Sequence, residues 1–345
     1  MTTSLLIVSA FFPLAKSKHS KKDYEDWLSH FLKPITTDMY MFTTPELAET
    51  IQRVRGEQPI AIDTTFSSPF QVPPLQGYEK IYMEMNDIDP EKWHHSPGLY
   101  AIWNAKPYLL DTAVKTLRRD GKVYTYAFWN DAGSFRKDHE YSEWPSPARV
   151  EQVWEEGSRL TGGKKEDLLF FPIFQLPDKK LKKWKEGMGP IANSVQFSEG
   201  SFFGGSPSTI EWFSKIFYAY HYYYLTKNLF VGIDQDIFNA LFLLFPERIF
   251  TGIVPSPSLK PSLERGYLGE CGAEWFYYQF WLADAPARDE MRRTWMGEER
   301  WRKSGWWQER KLCRLTTAMS MMDVLKRAFG EDWHPPRKLL AIPGL

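Results

Sequence analysis

Residues 5 to 12, LLIVSAFF, form an unbroken apolar run, the pattern of a parallel strand covered on both faces. After a basic loop, AKSKHSKK, the apolar positions of DYEDWLSHFL recur at helical spacing. DMYMFTT (38 to 44) reads as a second strand, PELAETIQRVRG as a helix that opens at Pro45 and stops before Gly56, and PIAIDTTF (59 to 66) as a third strand. This βαβαβ order predicts a mostly parallel sheet with right-handed crossovers. Residues 67 to 100 are rich in proline and polar positions and predict a long excursion with a short helix from Tyr78 to Met85. The next helix, AIWNAKPYLLDTAVKTLRRDG, is interrupted or started by Pro107 and closes near Gly121. It leads into KVYTYAFWNDAGSF, a strand that breaks at Asn130-Asp131-Ala132-Gly133.

The second half is less regular. Residues 138 to 166 read as loop and charged helix, DLLFFPIF (167 to 174) as a strand, and LPDKKLKKWKEGMGP as an exposed basic helix face. SFFGGS (201 to 206) reads as a turn before a long aromatic helix through SKIFYAYHYYYLTKN. In FVGIDQDIFNALF (230 to 242), Asp234, Gln235 and Asp236 stand between an apolar strand-like run and an apolar helix, where acids suit the unpaired N–H groups of a helix start. Beyond Pro246 come an aromatic segment, AEWFYYQFWLA, a charged Trp-bearing stretch from 288 to 314, and a last helix, TTAMSMMDVLKRAFG.

Composition narrows the function classes. With 345 residues, 43% hydrophobic and 25% charged, the chain is an ordinary globular protein. Lys plus Arg and Asp plus Glu number 43 each, so no global field recruits nucleic acid or an anionic membrane. Aromatic residues reach 16%, enough to fill a core and also to make flat platforms for sugars or bases. Cys271 and Cys313 are too few for a disulfide framework, although one bridge between them stays open, and no CxxC pair points to zinc. LLIVSAFFPLA is too short to span a bilayer and no other stretch is long enough. With no N-glycosylation acceptor, a cytoplasmic address is favoured; a Golgi or ER lumen address needs an anchor outside this chain.

Four pieces, WNAKPYLL (103 to 110), FWNDAGSFR (128 to 136), SFFGGS and GIDQDIFNALF, each have a bland explanation as turn, cap or solvated charge. In that order they resemble the nucleotide-sugar transferases of the GT-A fold. They are similar to the HtrL/YibB-like family and, more distantly, to glycogenin-like (family 8) transferases, whose acidic Asp-x-Asp turn, Phe-x-Gly turn and Asp-Gln-Asp-x-x-Asn segment correspond to DAG at 131 to 133, FFGG at 202 to 205 and DQDIFN at 234 to 239. The resemblance implies an α/β fold with a GT-A-like (Rossmann-like) mixed, mostly parallel sheet flanked by helices. Residues 1–250 would form the catalytic domain and 251–345 a helical and aromatic C-terminal extension on the acceptor side.

It further implies a glycosyltransferase, hexosyl or pentosyl, that uses a nucleotide-sugar donor and a hydroxyl acceptor on a glycan, protein or small molecule. Ser9, Ala10 and Phe11 would line the donor pocket with Lys106, Asn130, Asp131, Gly204 and Gly205, the glycines letting backbone approach the sugar. Lys16 and Lys18 could neutralise phosphate. Asp131 would hold Mn²⁺ or Mg²⁺, with His334 completing the sphere, and Asp234, Gln235 and Asp236 would act on the sugar or acceptor hydroxyls. The second acid of the turn is Gly133 here, so a two-carboxylate grip is not present in it. Two other classes remain: a catalytically silent nucleotide- or carbohydrate-binding protein on the same scaffold, and a glycoside hydrolase, for which no facing carboxyl pair can be assigned.

Overall fold

The computed structural model describes residues 3–14, 16, 19–253, 274–296 and 317–342. Its first half runs β1 (Leu5–Phe11), α1 (Lys21–Leu32), β2 (Asp38–Thr43), α2 (Pro45–Arg55), β3 (Ile60–Asp63), α3 (Glu79–Ile88), α4 (Pro97–Arg119), β4 (Tyr126–Asn130) and α5 (Pro147–Thr161). Then come β5 (Leu169–Phe170), β6 (Phe202–Gly205), α6 (Pro207–Leu225), α7 (Asp234–Leu244), β7 (Ile249–Ile253), α8 (Tyr277–Trp281), α9 (Ala285–Met296), β8 (Thr317–Ser320) and α10 (Met321–Phe329). The described strands form one sheet in the order β3-β2-β1-β4-β6-β5-β7-β8. Four of the seven pairings are parallel, and β6 is antiparallel to both β4 and β5. The chain therefore has the expected α/β class, with a mixed sheet between helical layers.

Alternation along the strands sends successive residues to opposite cores. Leu6, Val8, Trp129 and Phe203 join Leu109, Phe213 and Phe238 beneath α4, α6 and α7. Leu5, Ile7, Phe128 and Phe202 join Phe31, Trp154 and Tyr278 beneath α1, α5 and α8. Each such ring contributes about 1.5–3 kcal/mol by leaving water, so the aromatic excess is mainly core.

Several elements differ from the sequence expectation, each for a local reason. Helix α4 begins at Pro97, capped by Ser96, and passes through Pro107. A proline removes an N–H and pushes on the preceding turn. Here the Tyr218 hydroxyl enters the gap, donating to Asn104 O (2.7 Å) and accepting from Tyr108 N (3.2 Å), so the opened turn keeps its partners. The FFGG stretch is the buried strand β6 rather than a turn. A Cβ on Gly204 would lie 2.3 Å from Ala127 O, and one on Gly205 2.8 Å from Leu168 O, so these glycines let three strands close up.

The strand expected over 167 to 174 shrinks to Leu169–Phe170, since Pro172 has no ladder donor. The run at 230 to 233 is not a strand; Asn104 Nδ2 donates to Val231 O and Gly232 O instead. The basic stretch forms short 3₁₀ turns, Lys179–Lys183 and Glu186–Met188, with Leu181, Trp184 and Glu186 buried. The first residues of the expected last helix pair with β7 as β8.

Candidate active site

Parallel neighbours β1 and β4 end at one edge of the sheet, and antiparallel β6 starts there. At that edge lies a cavity of about 1010 Å³, lined by Ala10, Phe11, Lys106, Asp131 and Ser201 at its floor. This is the upper end of the range for ligand pockets, at the strand ends where open α/β sheets bind ligands.

Asp131 follows β4 directly and is tied down by its own N–H to Ser201 O (2.8 Å). Its Oδ1 accepts from Trp129 Nε1 at 2.6 Å, and both carboxylate oxygens stand 3.3 Å from Lys106 Nζ. Lys106 projects from the turn of α4 that Tyr218 and Pro107 open, and is 2% exposed. Its ammonium also meets Asp234 Oδ2 at 3.0 Å and donates to Gly200 O at 2.9 Å. Two acids a hundred positions apart thus converge on one buried cation. Burial opposes the charge on Lys106, but the two carboxylates outweigh it and raise its pKa. Burial pushes Asp234 up to about 6 even so, because the single ammonium is shared with Asp131.

Asp234 also accepts from Gln235 N (2.9 Å) in the first turn of α7, so it both serves the helix start and faces the cluster. The remainder of DQDIFN points elsewhere. Gln235 Nε2 donates to Ser198 O (2.5 Å), Asp236 Oδ1 accepts from Gln196 Nε2 (2.6 Å), and Asn239 Oδ1 accepts from Ser198 N (3.0 Å). These three staple α7 to the segment that enters β6. Gly200 makes room for Gln235, since a Cβ there would lie 2.9 Å from Gln235 Cγ. Asp236 is 3% exposed, and burial drives its pKa well above the ordinary carboxylate value.

The other sequence candidates divide. Ala10 and Phe11 line the cavity, whereas Ser9 is buried in β1 and does not. Asn130 is fully buried and exchanges hydrogen bonds with Ser134 Oγ, closing the turn around Asp131. Gly204 and Gly205 lie within the sheet, away from the cavity walls. Lys16 donates to Lys92 O (2.7 Å), and Lys18, Cys271 and Cys313 lie outside the described residues.

His334 is not brought to Asp131. It is exposed, in a tail that meets the far end of α7, where Lys338 Nζ lies 4.1 Å from the Phe245 ring centroid; Asp234 is at the opposite end of that helix. The residue that sequence reasoning missed is Glu199. It is fully buried, accepts from Ser201 N (3.0 Å) through one oxygen, and is raised to about 8, mainly by burial and further by Asp131. A lone acid in SEGS before an apolar pair was its only signal.

The cavity's mouth is aromatic and basic. Tyr24, Trp27, Trp103 and Phe276 line it with Lys21, Glu25 and Lys137, and Lys21 pairs with Glu25 at 3.6 Å, so Arg136 and Lys137 set the basic balance. Arg136 is held between Trp27 and Phe276, 4.5 and 5.1 Å from the ring centroids, with Nε donating to Gly133 O. Gly133 packs under Trp27, whose Cε3 would lie 3.2 Å from an added Cβ, so an acid at that position would displace the ring.

These surroundings do not suit Mn²⁺ or Mg²⁺ at Asp131. Hard cations want several oxygen ligands. Among the described residues, Asp131 is the one carboxylate of the cluster that lines the cavity; its oxygens already face Lys106 and Trp129, Asn130 is tied to Ser134, and His334 is elsewhere. Lys106 holds the positive charge between the acids. Among the described residues, too, no helix is long and apolar enough to cross a membrane.

No family model and no curated protein matches the chain. Among solved structures, mouse xyloside xylosyltransferase 1 in its apo form is similar over 72% of this chain and 83% of its own, at 9% identity and a TM-score of 0.41. Core-mannan synthase A from Aspergillus fumigatus, in a Mn/GDP form, is similar over 86% of each chain, at 13% identity and a TM-score of 0.43. 4-Diphosphocytidyl-2C-methyl-D-erythritol synthase from Anaerococcus prevotii covers 69% of this chain at a TM-score of 0.24.

Proposed function

We propose that the chain is a glycosyltransferase that moves a sugar from a nucleotide donor to a hydroxyl acceptor, with the reaction centred on Asp131. The observation that carries this reading is the convergence of Asp131 and Asp234 on buried Lys106 at the floor of a cavity whose mouth is aromatic and basic. Aromatic faces such as Trp27 and Trp103 suit a base or a sugar ring. The Arg136 fork, with Lys137, suits a diphosphate. The donor's anomeric C–O bond breaks as the acceptor oxygen bonds to that carbon; the acceptor proton passes to Asp131 and the diphosphate leaves toward Arg136. Lys106 holds the Asp131 carboxylate in position and balances its charge, and no step requires a metal at this site.

Calorimetric titration with uridine and guanosine diphosphate tests the pocket. One of them is expected to bind, about tenfold more weakly in Arg136→Ala, given the strength of charge-assisted contacts. Failure of both to bind the wild-type protein would contradict the assignment. A second reading, a silent binding protein, is favoured by Gly133 and by the engagement of both Asp131 oxygens. It is supported if diphosphate binds while no nucleotide sugar is turned over.

A further inference from the structure

A second group of chemistry-bearing side chains lies outside the cleft, in the excursion between α3 and α4. We propose that Glu91, His94 and His95 bind one divalent transition-metal ion of the zinc class, with Asp89 orienting His95. His94 N and His95 N both donate to Glu91 O (3.0 Å each), so the segment is a single helical turn. Positions i, i+3 and i+4 of such a turn share one face. One ligand atom from each residue lies within 4.8 Å of the others. Glu91 stands 3.7 Å from His94 Nε2 and 4.0 Å from His95 Nε2 through its two carboxylate oxygens. Tetrahedral zinc with bonds of about 2.0–2.2 Å places its ligand atoms roughly 3.3 Å apart, a contraction that small side-chain rotations supply.

The orientation of His95 strengthens the assignment. Its Nδ1 is 2.8 Å from Asp89 Oδ2, and an ionised carboxylate can only accept, so Nδ1 is the donor and the neutral imidazole presents its lone pair at Nε2. A carboxylate behind a ligating imidazole is the usual support of a metal centre. Asp89 is itself held by Tyr100 OH and by Glu91 N (2.8 Å). Two imidazoles and one carboxylate suit zinc rather than magnesium, which wants six oxygens. The imidazoles are buried and the Glu91 side chain is 39% exposed, so water can supply the fourth ligand. The ring of His95 meets that of Trp103, with centroids 5.1 Å apart, and Trp103 lines the cleft. A bound ion would therefore brace one wall of the pocket without entering it.

The test is zinc titration of chelator-treated whole protein against a chromophoric competitor, repeated with cobalt to read the tetrahedral d–d absorption. Wild-type protein should take up one equivalent. Affinity should fall about 100-fold or more in His94→Ala and His95→Ala and about tenfold in Asp89→Asn, while Asp131→Asn binds as the wild type does. Because the buried variants could unfold, Glu91→Gln at the exposed edge is the companion; with unchanged circular dichroism it should also lose the cobalt band. Absence of a stoichiometric site in the wild type, or full binding by folded Glu91→Gln and His95→Ala, would overturn the proposal.

Discussion

Burial acts strongly on Glu199. Its carboxyl is pushed up to about 8 in the folded chain, against an ordinary value of 4.5, so between those values the folded state holds a proton that the unfolded state has lost. The stabilising contribution is complete below the ordinary value and is lost as pH rises through about 8; Asp234, raised to about 6, acts in the same sense over a lower window. Urea unfolding should therefore show wild-type stability falling between about pH 4.5 and about pH 8, and Glu199→Gln should flatten that fall. Equal slopes for the two proteins would show that Glu199 ionises normally. The charge placed here by geometry was only partly visible in the chain: Lys106, Asp131 and Asp234 stand in turns or at a helix start, where motif order flags them. Gln235, Asp236 and Asn239 carry the same motif yet spend their polar atoms on residues 196 to 198, a distinction set by side-chain direction rather than by spacing.

Among the elements, α4 shows how one helix can both place a buried cation and break its own ladder. The Tyr218 hydroxyl occupies the turn opened by Pro107, next to Lys106. Removing it in Tyr218→Phe leaves Asn104 O and Tyr108 N without that partner, and should cost about 1–3 kcal/mol by denaturant unfolding. In a Pro107→Ala background, where the ladder can close, the same change should cost clearly less; an equal cost would mean that the hydroxyl does not serve the proline. Strands and helices up to β4 are legible because alternation and helical spacing each persist over several residues. The glycine strand β6 and the start of β8 are not, since two glycines suggest a turn and TAMS suggests a helix. Their pairing is decided by neighbours distant in the chain.

At the scale of the molecule, residues beyond 250 complete the core and the sheet. Tyr277, Tyr278 and Trp281 are buried, Tyr278 stacks on Phe202 at 4.5 Å, Trp144 Nε1 donates to Gln279 O, and β8 pairs with β7. A fragment of residues 1–250 is therefore expected to lack a cooperative thermal transition; a sharp transition near that of the whole chain would show that the later segment is dispensable. Within the C-terminal stretch expected on the acceptor side, residues 254–273 and 297–316 lie outside the described residues.

In the proposed reaction Asp131, clamped by Lys106 at the floor of the cleft, faces the reacting sugar. The measurement that reaches this placement most directly is nucleoside diphosphate release from a panel of nucleotide sugars, with and without acceptor glycans, by wild type, Asp131→Asn and Asp234→Asn, each verified as folded. The wild type should turn over at least one donor, with a loss of about 100-fold or more in Asp131→Asn, the scale of a lost general base, and a marked loss in Asp234→Asn. Full wild-type rate in a folded Asp131→Asn variant would contradict the account.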